Sequence, residues 1–365
     1  MTDLRTELAE RISVPDTLEA AYERFYDEGW TDGLPIVPPT EERVQRMLAY
    51  SDLDPAHSLG SVPPKWGQAT IAKLAINAVM AGCKPEYFPV VVTAVKAVLE
   101  QQFNLYGIQG TTNPVTPILV LNGLIARELD VNCRGNLFGP GWRANATIGR
   151  ALRLIMTTIG GGVPQVGDKS TLGSPAKYTC CFAENEAESP WEPLHVERGF
   201  AAETSTVTAF GGAAPTNIIE KSKTAAEMLY TIAQAAAMQG SNNMFMSQEA
   251  MIVIGPEHAA IAGRAGLDKR AVRQQLFEHA HISFDRITEG NAEIIRHWRV
   301  GCVDEQDGRS TLRMVEKPDD LVVVVAGGAG NHSASIPGWY TRSVTLAIAK
   351  ADGTPARSVA DFARG

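Results

Sequence analysis

The densest group of reactive side chains lies in residues 178–198, called the acidic segment below. It holds five glutamates, one histidine, one tryptophan and two adjacent cysteines. Pro190 and Pro193 exclude a regular helix through its middle, so we expect a long, shaped loop. A glutamate and a histidine held together can transfer protons as acid and base. Glu184 and His195 are therefore the predicted catalytic pair.

The same segment allows other chemistry. A cysteine beside a histidine can act as a nucleophile, which makes Cys181, or its neighbour Cys180, the centre of an alternative thiol mechanism. Carboxylates together with a histidine can also hold a divalent metal ion. The plain alternative stays open, because buried cysteines are usually inert and runs of charge are usually solvated.

A glycine-rich loop at residues 135–145 precedes an amphipathic helix. Glycines let a backbone approach a ligand, and a helix N-terminus offers free N–H groups to an anion. Arg143 adds a planar fork that fits a carboxylate or phosphate. We predict that Gly141, Trp142, Arg143 and Asn145 bind the substrate; the alternative is a tight turn with Arg143 in a structural contact.

Two further histidines follow glycine turns at the ends of apolar runs, His258 after residue 254 and His332 after residue 325. Such strand ends are where α/β proteins place ligands. We predict His332 as a catalytic residue and Asn331 as a substrate contact. If a metal ion is bound, the predicted ligands are Glu257, His258 and His332, although a plain helix start at residue 256 is the alternative for His258.

Strands and helices must position these loops, and the apolar runs in the sequence predict where the strands lie. Four short runs each end in a turn signal, which is typical of buried strands: residues 117–121, 206–210, 251–254 and 321–325. Helical patterns between them begin at Thr224 and Asp268. We therefore predict an α/β fold with a largely parallel sheet, flanking helices and strand ends that face one common region.

The first third of the chain is predicted to be mainly helical, with a helix over residues 70–82 and another from Pro85 to about Glu100. The expected organisation is a helical N-terminal region at residues 1–115 and an α/β region at residues 116–365.

Composition narrows the class of protein. The chain has 365 residues, 44% of them hydrophobic, and a net charge of −8. That charge disfavours nucleic-acid binding, and the absence of a long apolar run disfavours a membrane span. Five cysteines without a Cys-x-x-Cys pair suggest reduced thiols in a cytoplasmic protein, so Cys83 and Cys133 are predicted to be unbridged. The expected partners are a small-molecule substrate and further copies of the chain.

Four segments have a distinctive composition: residues 32–40, 81–89, 139–143 and 255–258, of which the Asp-Gly-Leu-Pro start of the first is the most distinctive. In these segments the chain resembles a largely uncharacterised bacterial family related to proteins associated with a Cys- or selenocysteine-Gly-Ser-Cys (UGSC) motif. The resemblance implies an enzyme-like α/β protein. The chain has no Cys-Gly-Ser-Cys, so the resemblance transfers no thiol-redox role.

Taken together, these features predict an enzyme for a small anionic or carbonyl substrate that uses hydrolytic or lyase-type acid–base chemistry, with or without a divalent metal ion. A thiol enzyme and a non-catalytic binding or scaffold protein are the alternatives. No Gly-x-Ser-x-Gly elbow supports a serine hydrolase.

Overall fold

The computed structural model describes residue 9, residues 11–306 and residues 308–363. The N-terminal part combines five helices with a two-stranded hairpin: α1 Leu18–Asp27, α2 Glu41–Leu48, β1 Ser58–Val62, β2 Gly67–Thr70, α3 Ile71–Ala81, α4 Phe88–Leu99 and α5 Leu105–Gly110. Helix α3 is confirmed, with the Thr70 side chain capping its first turn. The hairpin and the extended connections make this third less helical than predicted.

Two four-stranded sheets form the centre of the molecule. The first has the strand order β13-β5-β3-β4, and the second has the order β11-β7-β12-β6. A small third sheet has the order β8-β10-β9. The strand bounds are β3 Thr116–Asn122, β4 Cys181–Ala183, β5 Thr206–Gly212, β6 Thr216–Ile219, β7 Ala250–Ile254, β8 His281–Ser283, β9 Val303–Gln306, β10 Arg309–Arg313, β11 Leu321–Val325, β12 His332–Ile336 and β13 Val344–Ala347.

Alternate side chains of β3, β7 and β11 enter different cores, and this alternation stacks the sheets and helices in four layers. Ile118 and Val120 of β3 pack between the two sheets against Val322 and Val324 of β11. The opposite face of the first sheet packs on α3, α4 and α7, and that of the second packs on α9, α11 and α12. The remaining helices are α6 Leu124–Glu128, α7 Arg143–Thr158, α8 Leu194–Glu197, α9 Ala225–Ala236, α10 Asn242–Phe245, α11 Pro256–Arg264, α12 Lys269–His279 and α13 Glu289–Trp298. No helix among the described residues is long and apolar enough to cross a membrane.

Both large sheets are built on one plan. A parallel pair, β3 with β4 or β7 with β11, is followed by an antiparallel third strand, β5 on β3 or β12 on β7. The fourth strands are exchanged: β6 pairs with β12, and β13 pairs with β5. Where the chain passes from one sheet to the other, Gly212 at the end of β5 forms an antiparallel β-bridge with Gly338, which follows β12. After residue 115 the chain therefore forms two similar halves, β3–β6 and β7–β13, that complete each other's sheets.

The α/β class and the four predicted strands are confirmed, but the sheets are mixed rather than largely parallel. The difference changes where the strand ends lie. The ends of β3, β4, β7 and β11 share one edge, where the Asn185 N–H donates to the Val325 carbonyl at 2.7 Å. Strand β5 runs the other way, because Thr116 pairs with Gly212. Gly212 thus lies at the opposite edge from His258, and the prediction of one common region was wrong for β5.

The predicted boundary at residue 115 crosses a continuous core. Phe25, Leu74 and Val91, which precede it, pack in the same cluster as Leu119 and Leu121 of β3. The N-terminal helices are thus one outer layer of the sandwich, while a division into two domains stays a prediction.

Candidate functional site

Polar side chains gather at the carboxyl ends of the parallel strands β3 and β4. Asn122 is the last residue of β3, and Glu184 and Glu186 follow β4 directly. The Asn122 Nδ2 group donates to Oε2 of Glu184 at 2.7 Å and to Oε1 of Glu186 at 3.1 Å. The Gly123 N–H also donates to Glu186 Oε1, at 2.7 Å. One amide therefore holds two carboxylates side by side.

His195 completes this group, which we call the strand-end cluster: Asn122, Glu184, Glu186 and His195. It lies in α8, whose first N–H, from Leu194, donates to Glu184 Oε2 at 2.8 Å. The imidazole is fully buried, and its Nε2 lies 3.2 Å from the carbonyl oxygen of Ala202. A carbonyl only accepts, so Nε2 carries a hydrogen. The other nitrogen, Nδ1, lies 4.0 Å from Glu186 Oε1.

A lysine from the second half of the chain supplies positive charge behind the cluster. Lys269, the first residue of α12, is buried, and its Nζ lies 3.7 Å from Glu184 Oε1 and 3.0 Å from Glu197 Oε2. It also donates to the carbonyl of Glu192 at 3.2 Å. Burial lowers the pKa of Lys269, and the nearby charges of Glu184 and Glu192 act against that shift. The ammonium group therefore offsets part of the repulsion among the buried carboxylates.

Buried polar atoms without a hydrogen-bond partner concentrate at this place. They include Asn122 Oδ1, Glu184 Oε1, Asn185 Nδ2 and His195 Nδ1. Nearly all buried polar groups in proteins are paired, and each unpaired one has a free-energy cost. Their coincidence at one strand edge is typical of a site that binds something else.

A cleft of about 340 Å³ opens beside the cluster. Two of its lining residues contact the cluster directly: Arg127 donates to Glu186 Oε2 at 3.3 Å, and Ala202 accepts from His195. The Glu186 side chain is 19% exposed, whereas that of Glu184 is 0% exposed. Glu186 is therefore the carboxylate between the buried imidazole and the open cleft, which is lined by Leu124, Arg127, Ala202, Glu203 and Arg357.

The predicted anion contact at Arg143 has another partner in the structure. Arg143 is the first residue of α7, after Gly141 and the capping residue Trp142. Its Nε and Nη2 both donate to the carbonyl oxygen of Gly82, at 3.0 and 2.8 Å. The guanidinium therefore links the start of α7 to the end of α3, which matches the alternative that Arg143 makes a structural contact. Substrate binding by this loop stays a prediction.

The two predicted substrate-binding asparagines lie apart from the cluster. Asn145 is buried, and its amide pairs with the backbone of Asn132 in both directions, at 2.8 and 3.1 Å. Asn331 is exposed, and its carbonyl accepts from the Glu220 N–H at 3.2 Å. None of their described hydrogen bonds reaches Glu184 or His195.

His258 is fully buried and uses both ring nitrogens. Its Nδ1 lies 2.7 Å from Ser333 Oγ, and its Nε2 lies 3.0 Å from the carbonyl oxygen of Glu220. The carbonyl makes Nε2 the donor, so the Ser333 hydroxyl donates to Nδ1. No lone pair of this ring is free for a metal ion in this arrangement.

The other predicted metal ligands lie nearby. His332 is exposed, with Nδ1 3.1 Å from Asn217 Oδ1, and Glu257 Oε1 accepts from the Gly330 N–H at 2.9 Å. Within the described ranges, no group of three or more His, Cys, Asp or Glu side chains is arranged to hold a metal ion. The metal site stays a prediction without a supporting cluster.

All five cysteines are free, as predicted for Cys83 and Cys133. Cys180 and Cys181 are buried, and Cys181 lies in β4 rather than in a loop. Burial raises the pKa of Cys180 to about 12 and that of Cys181 well above its usual value. A reactive cysteine needs the opposite shift, so this geometry does not favour the thiol alternative.

Sequence reasoning missed three members of the site. Asn122 was only a turn signal after an apolar run, Glu186 was one of five equivalent carboxylates, and Lys269 followed a helix cap with nothing to mark it. The alternation of side chains after β4 is the one available signal, because it groups residues 184 and 186 on one face.

The most distinctive segment of the resemblance has a structural contact. Asp32 is bound at both carboxylate oxygens by Arg150 of α7, each at 2.8 Å, and the same guanidinium donates to the carbonyl of Pro35. No protein-family model matches the chain, and no curated protein matches it either. The family resemblance therefore stays a prediction, and the geometry of the strand-end cluster is the basis for assigning a function.

Proposed function

We propose that this chain is an enzyme that acts on a small carbonyl compound or anion by hydrolytic or lyase-type chemistry, with Glu186 and His195 as its proton-transfer pair. The observation that carries the proposal is the facing pair of acceptors. His195 Nε2 is committed to a carbonyl, so Nδ1 presents a bare lone pair to Glu186 Oε1, 4.0 Å away. At 4.0 Å the two atoms lie beyond hydrogen-bond distance, so a proton passes between them through one bridging water or after a small approach, which is the geometry that acid–base catalysis uses.

Glu186 is the member of the pair that reaches the substrate. Its second oxygen, Oε2, accepts from Arg127, which lines the cleft, and the Glu186 side chain is partly exposed there. In a hydrolysis, Glu186 takes a proton from water and the hydroxide adds to the carbonyl carbon. The bond from that carbon to the leaving group then breaks, and the leaving group departs with the bonding electrons and receives the proton from Glu186. In an elimination, Glu186 takes a proton from the carbon next to the carbonyl, a double bond forms, and the departing group leaves with the proton.

The rest of the cluster positions this pair. Glu184, first predicted as the proton-transfer residue, is fully enclosed and accepts from Asn122 and from the N–H before His195. We assign Glu184 the role of fixing the positions of Asn122 and α8 relative to each other. Lys269 balances its charge from the other half of the chain. Fixing both members of a proton-transfer pair in this way is the usual requirement for efficient transfer.

The proposal also includes a cellular location, a substrate size and an oligomeric state. We place the reaction in the cytoplasm, since all five thiols are free. The substrate is a small molecule, because the cleft of about 340 Å³ lies at the low end of the usual range for ligand pockets, ~300–1,000 Å³. Assembly into homo-oligomers is part of the same proposal.

The test is turnover of a panel of short esters, amides, lactones and 3-hydroxy acids by the wild-type protein and by point variants. Glu186→Gln keeps the shape and removes the titrating group. His195→Gln places an amide where Nε2 lies and can keep the contact with Ala202. We expect both variants to fold and to lose turnover by ~10²–10⁴, the usual contribution of general acid–base catalysis.

Glu188→Gln is the matched control, because Glu188 lies two residues further along the same loop and is exposed. It should turn over the active compound at the wild-type rate. Wild-type turnover in both Glu186→Gln and His195→Gln would contradict the proposal, as would failure of the wild-type protein on the whole panel.

A further inference from the structure

We infer that the cleft beside Glu186 binds the carboxylate of a small organic monoacid through Arg357 and Arg127. The inference rests on the proposed function and gives its substrate a chemical class. Neither arginine was marked by the sequence patterns. Both line the cleft next to the strand-end cluster.

Arg357 presents a guanidinium without a partner on a fixed backbone. Its side chain is exposed and has no hydrogen bond or ion pair with the described part of the chain. The backbone N–H of Arg357 donates to Asp361 Oδ2 at 2.7 Å. The next two residues are anchored by Glu128 Oε2, which accepts from Ser358 Oγ at 3.1 Å and from the Val359 N–H at 3.0 Å. The backbone contacts thus hold the Arg357 guanidinium beside the cleft, and its five N–H groups stay available to donate to a ligand.

Arg127 is set by the same anchor, because it precedes Glu128 in α6. The one described hydrogen bond or ion pair of its side chain is with Glu186 Oε2 at 3.3 Å. A guanidinium can donate several parallel hydrogen bonds, so Arg127 can donate to a ligand carboxylate as well as to Glu186. A ligand held in this way has its remaining atoms next to the proposed proton-transfer pair.

The charges around the cleft favour a single negative charge. Arg127 and Arg357 line the cleft with two positive charges, and Glu203 lines it with one negative charge. Glu186, which pairs with Arg127, adds a second negative charge beside it. A phosphate dianion would meet both carboxylates, whereas a monocarboxylate needs only one free guanidinium. Since Arg357 has no described partner, it is the stronger of the two contacts.

The experiment is calorimetric or NMR titration at constant ionic strength with three probes: propionate, its neutral isostere propionamide, and inorganic phosphate. We expect the wild-type protein to bind propionate in preference to phosphate and not to bind propionamide. Arg357→Gln should weaken propionate binding by ~10-fold or more, the effect of losing one hydrogen bond to a charged group. Arg127→Gln should weaken it less.

Two further variants separate the explanations. Arg270→Gln removes an exposed arginine outside the cleft lining and should bind propionate as the wild type does. Glu186→Gln releases Arg127 and should bind propionate at least as tightly as the wild type, although the proposed catalysis is lost. That variant tests binding independently of turnover.

Equal propionate binding by the wild type and Arg357→Gln would overturn the inference, as would tighter binding of phosphate or no binding of propionate. If Glu186→Gln loses turnover while Arg357→Gln binds normally, the proposed function survives and the carboxylate site fails. If Arg357→Gln loses propionate while Glu186→Gln keeps full turnover, the site survives and the proposed function fails.

Discussion

Two neighbouring carboxylates should respond in opposite ways to the same substitution. Glu184 and Glu186 both accept from Asn122, but the Glu184 side chain is fully enclosed and that of Glu186 is 19% exposed. We expect Glu184→Gln to lower the free energy of unfolding strongly. We expect Glu186→Gln to change it little and to remove turnover.

The magnitude for Glu184 follows from its contacts. Its Oε2 accepts two hydrogen bonds, from Asn122 Nδ2 at 2.7 Å and from the Leu194 N–H at 2.8 Å. Hydrogen bonds to a charged group contribute ~1.5–3 kcal/mol and neutral ones ~0.5–1.5 kcal/mol, so neutralising the acceptor costs ~1 kcal/mol for each bond. Lys269 also loses one buried counter-charge but keeps Glu197. The expected loss is ~2–4 kcal/mol, below the ~3–5 kcal/mol seen when a buried charge loses its only partner.

The loss for Glu186 should be smaller. Its ion pair with Arg127, whose side chain is 65% exposed, lies at the surface, where such pairs contribute ~0–1 kcal/mol. Its other two donors, Asn122 and Gly123, can still bond to a glutamine oxygen. We expect a change below ~1.5 kcal/mol, together with a loss of turnover by ~10²–10⁴.

The assay is urea unfolding followed by tryptophan fluorescence and circular dichroism, with turnover measured on the same preparations. Glu188→Gln serves as the exposed control from the same loop. If Glu186→Gln proves the less stable of the two variants, or if Glu184→Gln unfolds like the wild type, the assignment of a buried positioning carboxylate and a cleft-facing catalytic one is refuted.

Three further predictions test the surroundings. Iodoacetamide at neutral pH should label the partly exposed Cys133 in the native protein but reach Cys180, whose pKa burial raises to about 12, only after unfolding, as peptide mass spectrometry would show. Burial raises the pKa of Asp168, but the hydrogen bond and charge of Lys177, 2.6 Å away, together with the hydrogen bonds from Ser170, outweigh burial and hold the pKa below its usual value. The ionised Asp168 therefore stabilises the fold at any pH above its unfolded-state pKa, and this contribution is lost as the pH falls through its lower folded-state pKa. In Asp168→Asn, the free energy of unfolding should therefore depend less on pH in that acidic range. Arg143→Lys should cost ~1 kcal/mol in unfolding free energy, because one of two bonds to a carbonyl is lost, while propionate titration stays unchanged.

The positions of several elements were determined locally, and the sequence alone predicted those elements. Thr70, Thr224 and Asp268 cap helices where the pattern placed them. The apolar runs ending at Leu121 and Val325 are strands. Caps and apolar runs act through neighbouring residues, so they can be recognised in the chain without knowledge of its partners.

Strand direction and pairing were decided by the tertiary structure. An apolar run looks the same in either direction, so nothing in residues 206–210 showed that β5 runs antiparallel to β3. The exchange of β6 and β13 between the sheets depends on packing between strands more than 100 residues apart. Which half completes which sheet is a property of the assembled core.

The site divides in the same way. The sequence placed Glu184 and His195 in one segment, and the structure joins both through Asn122 and Leu194. Only the folded chain brings Lys269 from the other half to Glu184. Only the fold, too, turns Glu186 toward a cleft bordered by Arg357, because the exposure of a carboxylate depends on what packs around it and not on its position in the chain.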